Sequence, residues 1–137
     1  MKQVFFIFLL IGNFLVNAQP ADSTILGEWN LFKIIDNLTG DEITPPKKKS
    51  EFDYSITFTA DSLVKFNLDV NKCTNNFIIP ERNKIKFLYY AECTKICCDK
   101  EFSEQLIYED CTSYYIKENQ TLLLVSEYKV FYFTRKE

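Results

Sequence analysis

The 137-residue chain contains no histidine, three glycines and one tryptophan. Without histidine there is no Ser-His or Cys-His nucleophile pair, no imidazole metal ligand and no histidine general base. No glycine follows Gly40. That removes glycine-rich phosphate loops from the later part of the chain, and the G-x-S-x-G elbow is also missing. Positive charge is scarce as well. The only basic cluster is Lys47-Lys48-Lys49 beside Pro45-Pro46, which reads as a solvated loop. These absences argue against an enzyme and against nucleic acid or an anionic membrane surface as partner.

What is present begins with an export signal. Lys2 precedes an apolar run from Val4 to Val16, and Val16-Asn17-Ala18 sets small residues before a cut. Residues 1–18 are therefore expected to be a cleaved signal peptide, with 19–137 a single domain in a secreted or periplasmic compartment. The apolar run is shorter than the ~20 residues a membrane helix needs, so no membrane span is expected in the mature chain. Removing Lys2 from 16 basic residues leaves 15 against 19 acidic ones, a net charge of −4.

Beyond residue 26 the pattern has period two. Tyr54, Ile56 and Phe58 alternate with Ser55, Thr57 and Thr59; Val64, Phe66, Leu68 and Val70 alternate with Lys65, Asn67 and Asp69. These are half-buried antiparallel strands joined by a short turn, a hairpin. Further strands are expected at Trp29–Asp36, Asn76–Ile79, Lys84–Tyr89, Ser113–Lys117, Leu122–Ser126 and Lys129–Thr134. The fold class is mainly β: an antiparallel barrel or barrel-like sandwich of about eight short strands. One α-helix is expected from Lys100 to about Glu109, with Phe102 and Leu106 a turn apart and Asp99 as N-cap.

The segment "ECTKICCDKE", residues 92–101, holds three of the five cysteines, Cys93, Cys97 and Cys98; the others are Cys73 and Cys111. A zinc site wants C-x2-4-C knuckles with thiolate or imidazole partners, and an oxidising compartment favours disulfides instead. A redox centre wants a C-x-x-C with a depressed thiol pKa, whereas Asp99 and Glu101 beside Cys98 would raise it. Disulfide staples are the reading that fits, with two bridges and one free thiol. Cys97 and Cys98 are adjacent and are expected to seek different partners. Glu101, Glu104, Glu109 and Asp110 could be written as paired carboxylates for glycoside hydrolysis, but they read as the wet face of a helix. No catalytic residue, metal site or cofactor is expected.

Trp29 heads the first strand and Arg135 ends the last. In a closed barrel these strands are neighbours, so the guanidinium can stack on the indole and close one end, contributing about 0.5–2 kcal/mol. The alternative is a tryptophan simply buried in the core; both make Trp29 structural.

The opening "ILGEWNLFKI", with Gly27-x-Trp29, resembles the first strand of lipocalin-like domains, where a Trp-Arg pair closes the barrel floor. The order that follows is a hairpin, Cys73, Thr94 with Cys98, an acidic helix, then Leu122 and Leu124 with Phe133 and Arg135. Over residues 25–135 it is similar to the META, or HslJ-like, domain of exported bacterial proteins. The chain departs from that pattern in having Thr74, not asparagine, after Cys73. The resemblance implies a Cys73–Cys98 bridge and an envelope-stress association; Cys111, just past the expected helix, could then reach back to Cys93 or Cys97.

What remains is a monomeric binding or interaction module with two alternatives. Either the barrel carries a small apolar ligand lined by Tyr54, Phe58, Phe66, Phe87, Tyr114 and Phe131, or the interior is solid and surface loops contact a protein partner. Eight strands leave an interior barely wide enough for side chains or one small ligand, and 18 aromatic residues after position 18 can fill it.

Overall fold

The computed structural model describes residues 24–47, 54–96, 99 and 101–137. The expected signal peptide, Lys48, Lys49, Cys97 and Cys98 lie outside the described residues. The described chain is mainly β. Its strands are β1 (Gly27–Asp36), β2 (Glu42–Ile43), β3 (Ser55–Phe58), β4 (Leu63–Asn67), β5 (Lys72–Ile78), β6 (Lys86–Phe87), β7 (Glu92–Cys93), β8 (Ser113–Lys117), β9 (Thr121–Val125) and β10 (Lys129–Arg135). Eight of them run in the antiparallel order β6-β5-β4-β3-β1-β10-β9-β8, with β2 pairing β1 and β7 pairing β5. The two ends of that order nearly meet. Lys84 bridges Ser113, the Ile85 amide donates to Thr112 at 3.1 Å, and the Tyr114 amide donates to Asn83 at 3.0 Å. The sheet thus curls into a barrel with few free backbone edges.

Tyr54, Ile56, Phe58, Val64 and Phe66 of the period-two stretches are buried, but β4 ends at Asn67, so Leu68 and Val70 fall beyond the strand and Val70 is exposed. In β1 the phase is reset by an irregularity between Leu31 and Lys33: Trp29 and Leu31 point in, Phe32 is pushed out, and Ile34 points in again. Such a bulge adds one residue to one strand and bends it, which suits a closing barrel. The β8–β9 turn places Glu118 and Asn119 at positive φ, the pair of left-handed residues that matches hairpin twist.

Three expectations are corrected. The strand expected at Asn76–Ile79 begins earlier, at Lys72, because its polar residues are absorbed: Cys73 and Asn75 turn inward beside Phe77. The strand expected over Lys84–Tyr89 is confined to Lys86–Phe87. The α-helix expected from Lys100 is a single 3-10 turn, Glu101–Gln105. Leu106 and Tyr108 are buried while Ile107 is exposed, so the apolar spacing there is two, not three or four.

The 3-10 turn and the segment before it are held to the barrel mainly by polar side chains. Asn71 is the hub: its Oδ1 accepts from the Ile96 amide at 2.8 Å and the Thr94 hydroxyl at 2.9 Å, and its Nδ2 donates to Ile96 O at 2.9 Å and Asp99 Oδ2 at 2.6 Å. Asp99 Oδ1 accepts from the amides of Val70 at 2.8 Å and Asn71 at 3.1 Å. Asp99 therefore fastens the β4–β5 turn; it does not cap a helix. Burial acts to raise its pKa, but the Asn71 side chain and the Val70 and Asn71 amides outweigh it and hold the carboxyl below its ordinary 3.8. A depressed carboxyl stabilises the fold above its unfolded pKa and loses that contribution as pH falls through the folded value. Asp99→Asn is expected to lower stability at neutral pH by about 1.5 kcal/mol. The gap should shrink below pH 3.8, which denaturant titrations along a pH series would read.

Candidate functional site

The barrel's inward aromatic side chains pack into one buried core. Tyr54, Phe58, Phe66, Phe87, Tyr114 and Phe131, expected to line a ligand, are all buried in one core. At its middle stands Tyr108, which is 0% exposed. Its ring lies 5.3 Å from Phe66, 5.0 Å from Phe131 and 5.9 Å from Phe133, measured between centroids. Phe58 packs on Phe77 at 5.0 Å, and Tyr54 on Phe102 at 4.7 Å. Edge-on and tilted contacts of this kind are the favoured aromatic geometries. Tyr54 donates its hydroxyl to Asp69 at 3.5 Å, and burial together with that carboxylate pushes its pKa up to about 12. Tyr108 enters because the chain leaves the helical turn after Gln105. Read as helix, its position could not be recognised in the sequence.

One barrel end is closed by Trp29 and Arg135. The guanidinium carbon sits 4.0 Å from the indole centroid, and Trp29 and Arg135 are opposite one another in the β1–β10 register. Arg135 also donates to the backbone oxygens of Asn119 at 2.8 Å, Leu26 at 2.9 Å and Thr24 at 2.7 Å. Gly27 belongs to the same device. Its φ is +115°, and a Cβ there would come within 3.1 Å of the guanidinium.

The cysteines sort differently from expectation. Cys73 is bonded to Cys93, its direct register partner across β5 and β7. This overturns the Cys73–Cys98 bridge and leaves Cys93 unavailable to Cys111. Two strands already paired bring these side chains together, which the sequence spacing of 20 did not reveal. Cys111 is a free, buried thiol. Burial, aided by the Asp110 and Glu109 carboxylates, raises its pKa, which favours the protonated thiol at neutral pH. In the folded protein Cys111 is expected to resist iodoacetamide and to react once denaturant is added. Mass mapping would show this, together with a Cys73–Cys93 linked peptide. Among the described residues no cluster of three or more histidine, cysteine or acidic side chains is arranged to hold a metal.

The surface carries the groups the interior does not use. Along β5, Phe77 faces Phe87 and Cys73 faces Cys93, so four steps on one strand meet six on the other. The two extra residues bulge outward between β6 and β7. Asn75 fixes the bulge by donating to Tyr89 O at 2.6 Å, and Glu109 accepts from the Ala91 amide at 3.3 Å. Tyr89 and Tyr90 are thereby expelled, 72% and 94% exposed. They border a groove of about 420 Å³ with Phe87, Leu88, Glu109 and Asp110. Glu109 and Asp110 also border a second groove of about 650 Å³, with Thr112, Ser126, Glu127 and Tyr128. The two grooves form one rim with the carboxylates between exposed tyrosines. Glu109 and Asp110 were expected on the outer face of a helix; they instead stand at the junction of the grooves. Tyr89 ends the expected strand Lys84–Tyr89, in phase with Ile85 and Phe87, while Tyr90 and Tyr128 have no periodic role in the sequence. Only the adjacent pair Tyr89-Tyr90, which one face of a strand cannot bury, could have marked part of the rim, and nothing marked Tyr128.

No helix among the described residues is long and apolar enough to cross a membrane. No family model matches the chain, and no curated protein matches it by sequence. Among solved structures, the chain is similar to a DUF4847 family protein from Bacteroides vulgatus, with a TM-score of 0.56 and 13% identity. The match covers 84% of this chain and 97% of that one. At that identity the likeness is one of fold.

Proposed function

We propose that this chain is an exported, non-catalytic, monomeric binding module that engages a protein partner through the tyrosine-rich acidic rim and not through its interior. One observation carries the reading: Tyr108 occupies the middle of the core, while Tyr89, Tyr90 and Tyr128 stand exposed around Glu109, Asp110 and Glu127. Exposed tyrosines offer large, rigid contact area with a polar tip, the composition favoured where proteins meet. Export is supported by the signal-like residues 1–18 and by the Cys73–Cys93 bridge, since disulfides persist in oxidising compartments. The resemblance to the META domain favours the bacterial envelope as the setting.

The rim is tested by selecting random peptides displayed on phage against the purified protein, then measuring the enriched peptides against a Tyr89→Ser, Tyr90→Ser, Tyr128→Ser variant. Loss of affinity by about tenfold or more, roughly 1.4 kcal/mol, in a variant with unchanged melting supports the rim. Peptides that bind wild type and variant equally would move the contact surface elsewhere.

A further inference from the structure

We infer that the rim takes a basic, partly apolar segment of another protein, with Lys or Arg side chains set on the tyrosine faces between the carboxylates; this rests on the rim being the contact surface. Charge complementarity identifies the occupant. Glu109, Asp110 and Glu127 line the two grooves, and no Lys or Arg is paired with them among the described residues. Lys129, next to Tyr128 in sequence, turns its Nζ to Gln105 Oε1 at 2.7 Å and lines neither groove. Among the described residues the rim thus presents three carboxylates and exposed rings, with no Lys or Arg in the lining of either groove. Aromatic faces beside carboxylates are the chemistry that holds an ammonium or guanidinium: the ring quadrupole and the carboxylate both attract it.

The shape favours a chain segment over a lone small cation. Two grooves of about 420 and 650 Å³ share Glu109 and Asp110, so a ligand filling both must pass over those carboxylates. Apolar Phe87 and Leu88 flank one side, and polar Thr112 and Ser126 the other. A segment carrying both basic and apolar side chains matches this lining. The acidic excess of the whole chain, 19 acidic against 16 basic residues, also steers such a segment inward.

Fluorescence anisotropy with three labelled peptides of about seven residues tests the inference: one alternating lysine and leucine, one with serine for lysine, and one with glutamate for lysine. The lysine peptide is expected to bind at least about tenfold tighter than the other two. Its affinity should fall by about tenfold in the folded triple variant Glu109→Gln, Asp110→Asn, Glu127→Gln, and also between about 50 and 500 mM salt. If the serine peptide binds as tightly as the lysine peptide and both are lost in Tyr89→Ser, Tyr90→Ser, the rim stands and the basic partner is overturned. Lysine-peptide binding that survives both sets of substitutions overturns the site. Absence of binding by all three peptides overturns the inference, while the display selection still tests the rim separately.

Discussion

Replacing Trp29 by alanine is expected to lower the unfolding free energy by about 3–5 kcal/mol, the loss typical of a buried large aromatic. Trp29 is fully buried, its Nε1 donates to Ile25 O at 2.8 Å, and Arg135 covers its ring. The substitution opens a void at the closed end and leaves Ile25 O without its donor. It also removes the surface on which Arg135 rests, though three backbone oxygens still hold the guanidinium. A loss of that size is a large share of the roughly 5–15 kcal/mol typical of a domain. Denaturant unfolding would measure it. A variant with an unchanged midpoint and a lost activity would make Trp29 a functional residue and contradict its structural role.

Tyr108 should give opposite results with two substitutions. Tyr108→Ala removes the ring that touches Phe66, Phe131 and Phe133, and is expected to cost about 3–5 kcal/mol. Tyr108→Phe removes only the hydroxyl, which is buried and has no hydrogen-bond partner among the described residues. Burying an unsatisfied hydroxyl is unfavourable, so the phenylalanine variant should be as stable as the natural protein or more stable by about 1 kcal/mol. Burial, with the neighbouring Cys111, Glu109 and Tyr54, also raises the Tyr108 pKa, so the hydroxyl stays neutral. Destabilisation by Tyr108→Phe would show that the hydroxyl meets a polar partner inside the barrel, and would reopen the question of an internal ligand.

The parts of this fold that could be read from the sequence are those in which one face is apolar and the other wet. The β3–β4 hairpin and β10 carry that alternation, while β9 shows as an unbroken apolar run, Leu122 to Val125. The first and last strands pair as barrel closure demands, which is why two residues more than a hundred positions apart, Trp29 and Arg135, could be placed together beforehand.

Other elements were illegible for physical reasons. The start of β5 is polar, and its strand character comes from pairing on both sides with β4 and β7, not from its own residues. Phe102 and Leu106 are four apart and imitate a helix face. The burial of Leu106 and Tyr108 shows that the tertiary core, not local propensity, decides the backbone there. The Cys73–Cys93 bridge follows from β7, a two-residue strand too short to carry a pattern of its own. The rim was hidden for the same reason. A two-residue misfit between paired strands expels Tyr89 and Tyr90, and no periodicity announces a misfit.

Titrating the purified protein with a fluorescent fatty-acid analogue tests the proposed solid interior most directly. With Tyr108 packed among Phe66, Phe131 and Phe133, the signal should rise weakly and without saturation. Saturable one-to-one uptake, displaced by unlabelled fatty acid and unaffected by substitutions at Tyr89 and Tyr90, would contradict both the filled core and the assignment of binding to the rim.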